Sequence, residues 1–173
     1  TGAFSFSFTK PETKFKFVGD TKPLGFFDPL QISINANEDT IKYLREAELQ
    51  HSRTAMIAAV IFPLIETSTN TPAIDVLSGK SESAQLAWLF FFSLYELARM
   101  NAGWQNPFKW GKLFSLEDNY EPGAVFLTEK AEFFQSDDAE RRMNVELNNG
   151  RLAMIGVGLT MLLEYTQNSG VFI

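Results

Sequence analysis

The chain repeats itself, and that constrains its fold more than any other feature. The stretch Glu48-Leu49-Gln50-His51-Ser52-Arg53-Thr54-Ala55-Met56-Ile57 returns 98 positions later as Glu146-Leu147-Asn148-Asn149-Gly150-Arg151-Leu152-Ala153-Met154-Ile155. Continued without a gap to Glu66 over Glu164, the alignment holds 8 identities in 19 positions. Agreement at this level marks an internal repeat, and so two copies of one structural unit. Each copy opens on Glu, carries His51 or Asn149 three residues on, and Arg53 or Arg151 five on. An uncharged run of twelve residues follows in each, Thr54 to Ile65 and Leu152 to Leu163.

Composition removes several alternatives. A net charge of -6 with no Lys/Arg stripe argues against a nucleic-acid partner. The chain has no Cys and a single His, which excludes disulfides, thiolate metal sites and a zinc site built on imidazoles. A length of 173 residues is that of one domain. The chain opens on Thr1-Gly2-Ala3-Phe4 with no basic n-region or apolar h-region, and no initiator Met. The expectation is that a targeting segment has been removed or left out.

Turn and helix signals divide the chain. Residues 1–36 read as an extended N-terminal strap: Phe4, Phe6 and Phe8 alternate, as do Phe15 and Phe17, but Pro11, Gly19, Pro23, Gly25 and Pro29 interrupt them. A first helix is expected over 37–66, opening on acidic Glu38 and Asp39, with Pro63 placed to kink it. A second is expected over 81–101, with Gly103 as its stop signal. A connecting loop over 102–137 leads to a third helix over 138–165. The expected fold class is all-α.

Hydropathy alone does not put these helices in a membrane. A span needs about 20 mostly apolar residues, and the mean hydropathy is -0.08. The repeat changes the balance. If the two repeat helices pair, Glu48 can meet Arg151 and Arg53 can meet Glu146, and charges neutralised in this way are tolerable inside lipid. At 100° per residue, Arg53 lies about 140° from Glu48 and His51 about 60° to the other side, so Arg faces the partner helix and His faces outward. Charge asymmetry agrees. With three spans, the strap and the 99–142 connection share a side holding twelve Lys and Arg, whereas Glu66 to Glu82 hold only Lys80. The expectation is a multi-pass membrane protein of three transmembrane helices, the first and third a crossed pseudo-twofold pair and the middle one shorter.

Two chemistries suit Glu48 with His51 and Glu146 with Asn149, each pair at i, i+3. One is a di-iron carboxylate site in a helical bundle, for which Asn149 stands where a second His belongs. The other is axial ligation of the magnesium of a chlorophyll, which asks for one His, one Asn or one Glu neutralised by Arg. Glu96 and Arg99 repeat the neutralised pair within the second helix, as an ordinary interfacial ion pair would also do. Gly150, Gly156 and Gly158, with Ala55, Ala58 and Ala59, allow close helix approach or leave flat slots for rings and polyenes.

These residues carry a resemblance. The segments Glu48 to Met56 and Glu146 to Met154 resemble the two signature segments of the light-harvesting chlorophyll-binding protein superfamily. Phe26-Phe27-Asp28-Pro29-Leu30 resembles its strap ahead of the first span, and Glu96-Leu97-Ala98-Arg99 its middle-helix motif. The resemblance covers residues 24 to 165. It implies a non-enzymatic antenna subunit of the plastid thylakoid, among thylakoid lipids, binding chlorophyll a, an accessory chlorophyll c or b, and xanthophyll carotenoids. Carried over, Glu48, His51, Glu96, Glu146 and Asn149 ligate chlorophyll magnesium. Arg53 and Arg151 form the interhelix pairs, Arg99 neutralises Glu96, and the Asp28 strap lies near a carotenoid end.

Two positions depart from the pattern. Leu163 stands where many members have a late Gln, and Trp88 where many have a middle-helix Gln; Gln85, one turn earlier, is a weak substitute. Fewer side-chain-ligated chlorophylls are therefore expected than in a major antenna. The short loops and the Phe-rich arm resemble the red lineage, and the stretch Pro23 to Leu30 resembles a divergent red-lineage member associated with photosystem I. The resemblance implies other antenna subunits and a photosystem core, photosystem I, as partners. A photoprotective, dissipating member of the same fold would use the same ligands.

Overall fold

The computed structural model describes residues 18–21, 25–105, 115–124 and 138–172. Helices dominate them: α1 (Ile32–Asn35), α2 (Glu38–Thr69), α3 (Ala73–Val76), α4 (Glu82–Gly103) and α5 (Ala139–Gln167). Among the described residues, β structure is confined to the isolated bridges Thr21–Gly25 and Trp104–Leu116. The alternating phenylalanines from Phe4 to Phe17 lie outside the described residues.

Local chemistry sets the helix ends. The Asn37 side chain accepts the Thr40 amide at 2.7 Å, capping α2, and Glu38 and Asp39 sit at the positive end of its dipole. Pro63 lies inside α2, which continues to Thr69. The helix closes on Asn70 at φ 52°, and α5 closes in the same way on Asn168 at φ 51°. Asn is one of the few residues other than Gly that enters the left-handed region readily. Positions 70 and 168 are again 98 apart, so the repeat extends past Glu66 and Glu164.

Gly103 is the last residue of α4, and it is not the left-handed stop expected. It is not among the residues with positive φ. A Cβ there would lie 2.5 Å from Cε2 of Tyr120, so the ring lying across the helix end excludes any side chain. Leu116, Tyr120 and Ala124 are buried together, with Trp104 packed against them. Two short helices, α1 and α3, fall within segments expected to be irregular.

The repeat helices α2 and α5 meet at equivalent positions. A Cβ on Gly150 would fall 2.3 Å from Cβ of Ser52, which is itself fully buried. Fourteen residues further along each helix, Glu66 and Glu164 are buried against each other, so the two helices run in the same direction. Gly156 and Gly158 have open space beside them and take no part in this approach.

Burial is inverted relative to a water-exposed bundle. The largest fully buried side chains are Leu147, Glu66, Glu164 and Ser52, whereas Ile57, Leu64, Phe90, Phe91, Leu152 and Ile155 are exposed. Contiguous exposed apolar surface marks a face that something else covers. Even so, among the described residues no helix is long and apolar enough to cross a membrane. Each uncharged repeat run is twelve residues, well short of the roughly 20 a span needs.

Candidate functional site: a neutral layer of paired carboxylates

The repeat symmetry builds two reciprocal ion pairs between α2 and α5. Arg53 Nε donates to Glu146 Oε1 at 2.6 Å, and Arg151 Nε donates to Glu48 Oε1 at 2.8 Å. Both pairs are those expected from the sequence. Arg151 Nη1 also donates to the Gly19 carbonyl at 2.8 Å, tying the strap to the pair.

Symmetry fails at the next level. Arg45 Nη1 donates to Glu48 Oε2 at 2.6 Å, so both oxygens of Glu48 hold an Arg. The repeat equivalent of Arg45 is Met143. Glu146 therefore has one Arg, and among the described residues its Oε2 has no hydrogen-bond donor. Two outwardly equivalent carboxylates thus differ in what they can still offer.

The middle helix joins the layer through Arg99. Its Nε and Nη2 donate to Glu96 Oε2 at 3.0 and 2.9 Å, while Nη1 donates to buried Glu46 Oε1 at 2.9 Å. Glu46 Oε2 accepts the Gly123 amide at 2.7 Å and the Tyr120 hydroxyl at 3.3 Å. Gly123 sits at φ 85°, and a Cβ there would lie 2.8 Å from Leu49 Cδ1. Burial, then the neighbouring Glu46 carboxylate, push the Tyr120 hydroxyl well above its ordinary range. Arg45, Arg53, Arg99 and Arg151 face Glu46, Glu48, Glu96 and Glu146, and the layer carries no net charge.

Sequence reasoning missed Glu46, Arg45, Tyr120 and Gly123. The i, i+3 spacing of Arg45 and Glu48 was a usable signal. Nothing local marks Glu46, whose partners lie 53 to 77 residues away.

His51 is exposed and points away from the ion pairs. Its Nδ1 lies 2.7 Å from the Ala47 carbonyl. A carbonyl only accepts, so Nδ1 is the donor in this contact and Nε2 is left without a partner among the described residues. Asn149 is exposed and lines a groove of about 380 Å³ with Ala59, Phe62, Leu152, Ala153 and Gly156. Gln85 donates its amide to the Ser78 and Lys80 carbonyls at 3.2 and 3.0 Å, closing the turn into α4. Asp28 caps α1, accepting the Ile32 and Ser33 amides at 3.0 and 2.8 Å and the Ser33 hydroxyl. Slight burial works to raise the Asp28 carboxyl, but these hydrogen bonds prevail and hold it below the usual carboxylate value.

These groups suit axial ligation better than a dinuclear metal centre. Each candidate offers one lone pair from a separate surface position, and among the described residues no three His, Asp or Glu converge on a metal site. Charge-cancelled carboxylate, imidazole and amide donors would suit a ring-held magnesium, because no net charge would then be buried.

Comparison with known proteins agrees in kind. The profile of the family described as "Chlorophyll A-B binding protein" matches residues 14–165. The chain is 30% identical over 169 residues to the light-harvesting complex stress-related protein 3.2 of Chlamydomonas reinhardtii, covering 89% of this chain and 64% of that protein. It is 30% identical over 169 residues to fucoxanthin-chlorophyll a-c binding protein A of Macrocystis pyrifera, covering 87% and 72%. It is 33% identical over 148 residues to the fucoxanthin-chlorophyll a-c binding protein of Isochrysis galbana, covering 79% and 70%. The chain thus spans a little under two thirds of the length of the stress-related relative.

Proposed function

The chain belongs to the chlorophyll A-B binding protein family, and from that premise we propose that it is a light-harvesting antenna subunit of the plastid thylakoid. In this reading it holds chlorophyll a, an accessory chlorophyll and carotenoids, and passes excitation to a photosystem core. The names of the Macrocystis and Isochrysis relatives favour chlorophyll c as the accessory.

The carrying observation is the neutral carboxylate layer beside exposed lone-pair donors. Glu146 Oε2 and His51 Nε2 are the readiest ligands, because the same contacts that fix their side chains leave these atoms open. Glu96, with both Arg99 bonds on Oε2, keeps Oε1 for the same use. Glu48 holds two guanidiniums and would ligate through a remaining lone pair, and Asn149 through its amide oxygen. Chlorophyll, when bound, supplies the absorbing and transferring chromophore. The chain's part is to hold each donor on a helix, cancel its charge and surround it with apolar side chains.

The same inversion supports three membrane spans. The neutral layer lengthens each apolar run by about two turns, because a paired charge costs lipid far less than a lone one. Exposed Phe90, Phe91, Leu152 and Ile155 would meet acyl chains or pigment instead of water. Photosystem I as the acceptor rests on the strap Pro23 to Leu30 alone. A dissipating role has separate support in the similarity to the stress-related protein of Chlamydomonas.

The test is the absorption spectrum and pigment extract of the protein isolated in mild detergent from its native membrane. Red chlorophyll bands with carotenoid absorption are expected. A colourless protein that needs no detergent would overturn the reading. Fluorescence lifetime separates the two roles: long for harvesting, short for dissipation.

A further inference from the structure

Glu66 and Glu164 are an identical pair of the repeat, and they are the two most deeply buried carboxyl groups among the described residues, at 0% and 1% exposure. They lie where the far ends of α2 and α5 come together. Each uses one oxygen on the other half of the repeat: Glu66 Oε2 accepts the Phe172 amide at 2.9 Å, and Glu164 Oε2 accepts the Ile74 amide at 3.0 Å. Positions 74 and 172 are also 98 apart, so the two halves exchange identical contacts.

The remaining oxygens have no such partner. Glu66 Oε1 and Glu164 Oε1 are buried without a hydrogen-bond donor, although the two carboxyl groups lie within hydrogen-bonding reach of each other. Among the described residues, no Lys, Arg or His forms an ion pair with either. The other titratable group acting on Glu164 is Asp75 beside α3, which adds negative charge and no compensation. The 168–172 segment packed on Glu66 has no titratable side chain, and Lys80 and Glu82 are exposed beyond α3. An ionised carboxylate only accepts, so two of them in contact lack one proton.

We propose that Glu66 and Glu164 form a proton-binding site, sharing one proton across the symmetry axis and so latching the ends of the two repeat helices. The proton turns one group into a donor, satisfies both orphaned oxygens and halves the buried charge. Loss of the shared proton would leave two facing buried charges and separate the helix ends. The site is independent of pigment ligation, since neither carboxyl reaches the outer faces.

Infrared difference spectroscopy of the full chain in detergent, at neutral pH, reads the site directly. The wild type is expected to show the carbonyl stretch of a buried protonated carboxyl, lost in both Glu66→Gln and Glu164→Gln. Its thermal midpoint should fall as pH rises above the ordinary carboxyl range, and that fall should be smaller in each variant, because Gln donates permanently. Should a single variant not fold, the double variant E66Q/E164Q pairs two neutral amides across the same contact and must also lack the band. Absence of the band from the wild type, or its persistence in the double variant, would overturn the proposal.

Discussion

Ser52 and Gly150 occupy equivalent places in the two repeats and touch each other, so close that a Cβ on Gly150 would overlap the Ser52 side chain at 2.3 Å. Residues related by a twofold axis can meet only on that axis. This contact therefore locates the axis and sets the spacing of α2 and α5.

Gly150→Ala should force the helices apart, at a cost of about 1–3 kcal/mol for an overpacked contact. Thermal unfolding would measure it. The exchange S52G/G150S should recover most of the loss, since the axis makes the two positions interchangeable. Equal destabilisation of the single and double variants would contradict that geometry.

The two interhelix ion pairs should not be equally costly to break. Arg151→Leu leaves Glu48 paired with Arg45, whereas Arg53→Leu leaves Glu146 with no ion-pair partner among the described residues. Arg53→Leu is expected to cost on the order of 1–3 kcal/mol, between the values for exposed and buried pairs, and Arg151→Leu clearly less. Denaturation midpoints of the two variants would show the order.

His51 bears on binding rather than folding. His51→Leu removes an exposed imidazole whose one contact is local, so stability should stay within about 0.5 kcal/mol, as for surface substitutions generally. Pigment extraction should show a loss close to one chlorophyll per chain. His51→Asn, which copies the residue at 149, should retain it.

Tyr120 predicts an alkaline transition. Its hydroxyl titrates above the ordinary value of 10.0 because burial and the Glu46 carboxylate disfavour the phenolate. A group raised in the folded state contributes stability that is full below the unfolded value and is lost as pH rises through the folded one. Packing of the 115–124 loop should accordingly hold up to about pH 10 and weaken above it. Tyrosine absorbance should show one late-titrating group, absent in Tyr120→Phe.

The repeat made much of this legible in advance. A copied Glu and Arg on two helices can cancel each other in one way only, so the pairs Glu48–Arg151 and Arg53–Glu146 followed from spacing alone. The outward aim of His51 followed from helical period. Asn70 and Asn168 were also there to be read, but dissimilar flanks hid the identity beyond Glu66.

What the tertiary structure alone decided is how each charge is completed. Glu46 gains its role from Arg99, Tyr120 and Gly123, which reach it from another helix and a loop, and no local pattern encodes that closure. Arg45 breaks the symmetry of the two signature carboxylates because its counterpart is Met143. Glu66 and Glu164 read as the polar ends of two apolar helices, yet they are buried, because the same-direction packing of α2 and α5 brings them together. Periodicity states which face of a helix a residue occupies. Only the packed chain states what lies opposite, and for an ionisable group that neighbour decides whether it is a ligand, a clamp or a place for a proton.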